Sequence, residues 1–163
     1  MARTIIVIGG ALSGPTAAAR ARETDESARI VLLERNTRVS YALTGLSLYL
    51  SGEVKSLEEL NRERADFFAS VYNIEVRTGS EAVSLDPAAK TLLVRSTGKE
   101  ETLSYDSLIY AAGAASLEPR GLPAVVNHSV FRSLDDLQKI HESLASGRKR
   151  FVILGGGPMG IEA

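Results

Sequence analysis

The stretch RTIIVIGGALSG, residues 3–14, opens as a continuous apolar run and breaks into glycine. An unbroken apolar run is what a parallel strand buried on both faces requires. The turn Gly9-Gly10-Ala11-Leu12-Ser13-Gly14 follows it. An alanine-rich stretch from Pro15 to Arg22 then predicts a helix, with Pro15 in the first turn, where a missing N–H is harmless. ARIVLLER, residues 28–35, reads as a second buried strand. Strand, helix and strand within about 30 residues make a βαβ unit, whose crossover is right-handed.

The turn carries chemistry as well as topology. Read as G-x-G-x-x-G it keeps the first and third glycines and has Ala11 at the second. Gly9 permits the tight exit from the strand, Ala11 is small enough for a pyrophosphate to approach, and Gly14 allows close helix–strand packing. The helix N-terminus offers N–H groups and a positive dipole end to phosphate. Glu34, at the end of the second strand, stands where a carboxylate accepts both ribose hydroxyls of a dinucleotide and disfavours a 2′-phosphate. A solvated strand-end acid is the plainer alternative. A second turn, Gly155-Gly156-Gly157-Pro158-Met159-Gly160, gives the motif in full. It is not a phosphate-binding Walker loop, because Ile161 and Glu162 stand where Lys and Ser/Thr belong. Two such turns imply two dinucleotides, and the natural pair is FAD with NAD(P)H exchanging a hydride.

Between the turns the pattern predicts further elements. Residues 43–50 are apolar and helical, and Ser56–Tyr72 holds one or two amphipathic helices, Ser56 and Glu59 having capping-box spacing. IEVRTG and EAVSLD read as short strands. KTLLVRS and EETLSYD alternate about TGKE as a hairpin. SLIYAAGAA, residues 107–115, is another buried strand, and LEPRGLPAVV is a loop. Residues 133–147 form a helix with Ser133 as N-cap, acids in its first turn and Gly147 beyond its end. RFVILGGG then begins a second strand-and-turn unit.

The 163 residues are 44% apolar and 24% charged, with 19 Lys+Arg against 20 Asp+Glu. That balance argues against nucleic acid or an anionic membrane as partner. No run approaches the length of a membrane span, and the start lacks the features of a signal peptide, so a cytoplasmic location is expected. Cysteine is absent, which removes disulfides, thiolate metal sites and thiol nucleophiles. His128 and His141 have no ligand spacing, so no metal is expected, and the glycosylation sequon at Asn127 is read as chance.

The segments VIGGALSG, IVLLER, SLIYAAGA, VFRSLDDL and VILGGGPMGIEA together resemble the N-terminal third of the pyridine nucleotide-disulfide oxidoreductase family. The resemblance covers essentially the whole chain. It leans toward the branch of coenzyme A disulfide reductases, NADH oxidases and NADH peroxidases. It implies an α/β fold: a Rossmann-like FAD-binding domain with a parallel sheet flanked by helices, a small antiparallel β-hairpin, and the first strand of a second Rossmann domain. It also implies that Gly9, Gly10, Ala11, Leu12, Gly14, Glu34 and Arg35 hold FAD, with Ala82 offering backbone to the adenine. Ala111-Ala112-Gly113 matches the family's A-T-G turn near the pyrophosphate, with Ala112 for Thr. Arg132 falls at an arginine near the flavin. Gly155, Gly157 and Gly160 match the NAD(P)H turn, and Glu162 an acid near the nicotinamide–flavin contact.

VSYALTGLSLYLSGE, residues 39–53, departs from that family. The branch's pattern S-F-A-N-C-G-L-P-Y-Y places its redox cysteine at Thr44 and its asparagine at Leu43. A threonine hydroxyl, far less acidic than a thiol, forms neither a flavin–thiolate pair nor a mixed disulfide. Disulfide, persulfide or peroxide reduction through Thr44 is therefore excluded. Coenzyme A recognition along the first helix is weakened too: Thr16, Arg20 and Ser40 suit it, but Glu23 stands where a basic residue would meet phosphate. The stretch also aligns without gaps with Y-x-R-x-x-L-S-x-x-L-x-G-E of ferredoxin reductases and nitrite-reductase flavin regions, through Tyr41, Leu46, Ser47, Leu50, Gly52 and Glu53, with Leu43 in place of their arginine and Leu48 where ferredoxin reductases often have lysine. A plain apolar helix over the flavin edge is the third reading.

The expected protein is an FAD-dependent NAD(P)H oxidoreductase that passes electrons to a small-molecule or protein acceptor. Oxygen, a quinone and a redox protein are the acceptors expected. The alternatives are a non-catalytic FAD-binding or redox-sensing domain, and a ferredoxin- or nitrite-reductase-type electron-transfer component. Residues 1–148 are expected to form an incomplete FAD-binding domain and 149–163 the truncated start of an NAD(P)H-binding domain. The full-length protein is expected to be a homodimer, and these residues alone to hold FAD weakly and not turn over.

Overall fold

The computed structural model describes residues 2–61, 64–117 and 128–163. The chain forms two compact units, Met1–Tyr41 with Asn61–Gly113, and Ala42–Leu60 with Ala114–Ala163.

The first unit is built on a four-stranded sheet: β1 (Thr4–Ile8), β2 (Arg29–Leu33), β3 (Ile74–Arg77) and β7 (Ser107–Tyr110). Its order is β3-β2-β1-β7, and every pairing is parallel. That is the 3-2-1 half of a doubly wound sheet with β7 in the fourth place. Residues 5 to 8 of β1 and 30 to 33 of β2 are all buried, because alternate side chains enter two different cores. Ile5, Val7, Ile30 and Leu32 point to one core, shared with Ala18 of α1 (Ser13–Thr24) and Phe68 of α4 (Ala65–Tyr72). Ile6, Ile8, Val31 and Leu33 point to the other, shared with Leu92 and Val94 of β5 (Thr91–Ser96). β5 is the middle strand of an antiparallel sheet between β4 (Ser80–Asp86) and β6 (Lys99–Ser104). The expected hairpin is β5–β6, and β4 extends it by one strand.

In the second unit, Leu46 of α2 (Leu46–Leu50), Leu60 of α3 (Leu57–Leu60), and Leu134 and Leu137 of α5 (Leu134–Ala145) are buried. Tyr49 of α2 meets His141 of α5 with ring centroids 5.4 Å apart. Ser133 caps α5 as expected. Its Oγ accepts from the Asp136 N–H at 3.1 Å while the Ser133 N–H donates to the Asp136 carboxylate at 2.9 Å. Gly147, at φ +86°, follows the end of that helix.

The described residues of Ser56–Tyr72 hold two helices, α3 and α4, within the one or two expected, and the Ser56 N–H donates to Glu59 at 3.0 Å as half of a capping box. Two local expectations change. The strand expected over 107–115 ends at Tyr110. Its partner β1 turns away at Gly9, so beyond the bond from the Ala111 N–H to the Ile8 carbonyl at 2.8 Å no ladder can continue. Phe151–Leu154, expected as a strand, pairs with no strand among the described residues, and its side chains are exposed. A strand exists only by pairing, and no described segment supplies a partner. The loop expected over 117–126 and the sequon at Asn127 lie, but for Leu117, outside the described residues.

Candidate functional site

The first glycine turn is closed by contacts that leave no room for side chains. Gly9 has φ +104°, and its N–H donates to the Leu33 carbonyl at 2.8 Å. A Cβ on Gly9 would lie 2.2 Å from the Ala111 carbonyl oxygen. One on Gly14 would lie 1.7 Å from the Gly9 carbonyl oxygen and 3.4 Å from Leu32 of β2. Gly14 therefore packs on the turn itself as much as on the sheet. One on Gly10 would meet Glu34 at 2.7 Å and Val39 at 2.8 Å. Leu12 is the N-cap of α1 and supplies no side-chain bond, and it is half-exposed. The first-turn N–H groups thus lack a side-chain acceptor, beside the small Ala11. Donors so arranged fit a pyrophosphate.

Glu34 is buried, 6% exposed. One carboxylate oxygen accepts the Gly10 N–H at 2.6 Å and the other the Asn36 N–H at 2.7 Å. Its own N–H donates to the Arg77 carbonyl at 2.9 Å. This inward role is not visible from spacing, which pointed Glu34 only at a ligand. An ionised carboxylate has roughly four acceptor positions, so the two bonds leave capacity for hydroxyls. Arg35 beside it is exposed. Ala82 sits at the register shift in β4, opposite Val94. Ala112 is exposed, and Gly113 has φ +69°. The first unit thus gathers Gly9, Gly10, Gly14, Glu34 and Ala111 about one turn.

An open groove of about 360 Å³ runs along α1 in the same unit. Thr16, Arg20, Glu23 and Ser40 line it with Phe67 and Tyr72. The exposed Arg20 guanidinium pairs with Glu23 at the rim of the groove.

In the second unit Thr44 is exposed, within a single 3-10 turn, Leu43–Gly45. Ser47, on α2, is buried and donates to the Glu162 carboxylate at 2.9 Å. No spacing rule predicted this contact. Arg132 is exposed and donates to the Ala114 carbonyl at 2.7 Å. The second glycine turn repeats the first: Gly155 has φ +118°, and a Cβ on Gly160 would lie 2.1 Å from the Gly155 carbonyl oxygen. Gly157 is the N-cap of α6 (Pro158–Glu162). No cluster of potential metal ligands occurs among the described residues, and none of their helices is long and apolar enough to cross a membrane.

A parallel 3-2-1-ordered sheet with a glycine turn after its first strand defines a Rossmann-type α/β protein. The chain belongs to the pyridine nucleotide-disulphide oxidoreductase family, whose model matches residues 3–163. It is 27% identical to an NADH oxidase of Enterococcus faecalis, over 97% of this chain and 36% of the relative. It is 33% identical to the large subunit of a nitrite reductase [NAD(P)H] of Klebsiella oxytoca, over 87% of this chain and 14% of the relative. The crystal structure of reduced Bacillus anthracis CoADR-RHD superimposes with a TM-score of 0.92 at 28% identity, covering 99% of this chain and 30% of that one. The chain therefore spans about a third or less of the length of these relatives.

Proposed function

We infer that the protein is an oxidoreductase that uses FAD to take a hydride from NAD(P)H and passes the electrons to an acceptor other than a disulfide. Oxygen, a quinone or a redox protein would serve. One observation carries the reading: the glycine turn occurs twice with one stereochemistry, in a chain without cysteine. Two turns suit two dinucleotides, and the missing thiol removes the family's disulfide route.

Residues 1–148 would form the FAD-binding domain and 149–163 open the NAD(P)H-binding domain. Gly9, Gly10, Ala11, Leu12 and Gly14 would hold the FAD pyrophosphate on the uncapped start of α1. Glu34, with Arg35 and Ala82, would take the adenosine end, its free lone pairs receiving ribose hydroxyls. Ala111, Ala112, Gly113 and Arg132 would lie toward the flavin. Gly155, Gly157 and Gly160 would hold NAD(P)H, with Glu162 near the nicotinamide. When bound, FAD supplies the two-electron relay between nicotinamide and acceptor. The match of Tyr41, Leu46, Ser47, Leu50, Gly52 and Glu53 to the ferredoxin-reductase pattern, with 29% identity to a rubredoxin-NAD(+) reductase of Acinetobacter baylyi, favours a protein acceptor.

Anaerobic titration of the full-length protein with NADH tests the reading. The visible absorbance of the protein-bound flavin is expected to bleach and to return on adding acceptor. A flavin that stays oxidised would overturn it. The 163 residues by themselves are expected to hold FAD weakly and not to turn over.

A further inference from the structure

The segment that follows β2 meets Gly10 at its N–H, its α carbon and its carbonyl. The N–H donates to the Glu34 carboxylate at 2.6 Å. A Cβ on the α carbon would strike the side chain of Val39, itself buried, at 2.8 Å. The carbonyl accepts the Ser40 N–H at 2.7 Å. All of these residues belong to the first unit. To give that last bond, Ser40 holds φ at +55°, a left-handed backbone that serine rarely adopts. Such conformations persist only where the surroundings over-determine them, and they gather at ligand sites.

No peptide of the described residues is cis. In a planar trans peptide the carbonyl and the N–H point in opposite directions. With the Gly10 carbonyl turned to Ser40, the Ala11 N–H is therefore turned away from it. Nothing among the described residues accepts that N–H. It stands at the second position of the glycine motif, just before α1. We propose that Ser40 is a positioning residue of the FAD site, whose N–H, given from a left-handed backbone, aims the Ala11 N–H at the pyrophosphate. The proposal rests on reading the first turn as the FAD site. It assigns the task to the backbone of Ser40 and none to its hydroxyl, so the side chain matters only through the φ it permits.

Binding to the full-length apoprotein tests it, with FAD, ADP and adenosine as probes. ADP carries the pyrophosphate and adenosine does not. Glycine takes the left-handed backbone freely and keeps the N–H, so Ser40→Gly is expected to bind FAD and ADP within about twofold of wild type. A β-branched residue is forced out of that backbone. Ser40→Val is expected to bind both about tenfold more weakly, because the competent turn becomes a minor state, and to bind adenosine as wild type does. Ser40→Ala should bind ADP about fivefold more weakly than Ser40→Gly. Equal losses in the glycine and valine variants would give the task to the hydroxyl and overturn the proposal, as would wild-type ADP binding in Ser40→Val. If Ser40→Val also loses adenosine, its whole site is damaged and the smaller substitutions decide. Ala weaker than Gly for ADP then supports the proposal, and equal affinities overturn it. Wild-type protein that binds neither FAD nor ADP would refute the FAD reading and the proposal with it, whereas wild-type binding that no Ser40 variant alters would refute the proposal alone.

Discussion

Gly14 and Gly156 separate packing from mere glycine content. A methyl on Gly14 would be driven into the Gly9 carbonyl, while one on Gly156 would stand in open space. Gly14→Ala is therefore expected to destabilise the first unit by about 2–3 kcal/mol, and Gly156→Ala to change stability by less than about 0.5 kcal/mol. Urea unfolding followed by circular dichroism reads both; equal effects would contradict the packing of the first turn. Glu34 marks how far residue-level reading reaches. Its position after β2 was legible, because a dinucleotide fingerprint asks for an acid there. Its bonds to the Gly10 and Asn36 N–H groups were not, since the direction of those donors is set only once the turn has closed. Thr44 was legible as a departure from the family pattern, and the structure adds only its place, exposed in the turn Leu43–Gly45.

Among the elements, α1 and α4 are joined at their C-terminal ends by one side chain. Arg22 donates to the carbonyls of Tyr72 at 2.8 Å and Asn73 at 2.9 Å, and to those of Asp25 at 3.2 Å and Glu26 at 2.7 Å. Arg22→Ala leaves these acceptors to water and is expected to lower stability by about 2 kcal/mol, with Arg22→Lys recovering roughly half; thermal unfolding measures both. Glu75 of β3 gives a pH signature. Partial burial raises its pKa, but hydrogen bonds from Arg29 at 2.9 Å and Arg77 at 2.7 Å outweigh this and hold it below the ordinary value. A depressed folded-state pKa stabilises above the unfolded value and is lost as pH falls through the folded one. Glu75→Gln should thus cost up to about 1 kcal/mol at neutral pH, the pair being half-exposed. The difference should shrink as pH falls below the ordinary carboxylate range and be gone only below the lowered folded-state pKa, and one that persisted in stronger acid would refute the pairing. Elements with a strong period or a clear cap were legible: β1, β2, α1 and α5. The ends of β7 and the fate of 151–154 were not, because both depend on which strand lies alongside rather than on local preference.

Across the whole molecule, the side chains of Phe151, Val152, Ile153 and Leu154 are 51%, 87%, 54% and 63% exposed. A continuous apolar run is what a strand buried on both faces requires, and among the described residues none pairs with these four. The architecture was legible because each of its levels agrees: buried parallel strands, glycine punctuation and an alanine-rich helix all specify one βαβ unit. The three-stranded sheet that backs it was only partly legible, since β4 has alternation too weak to tell its partner.

The two glycine turns differ in their surroundings and agree in their shape. The first is wedged between β1, β2 and Ala111, and the second stands clear of any strand, yet both carry a left-handed glycine whose carbonyl is covered by a glycine five positions on. The shape therefore travels with the short sequence that encodes it. Closing so short a loop loses little chain entropy, so each turn can form before any sheet assembles around it. The entropic cost of each phosphate-sized cradle is therefore set locally, by a loop of the same length in both places.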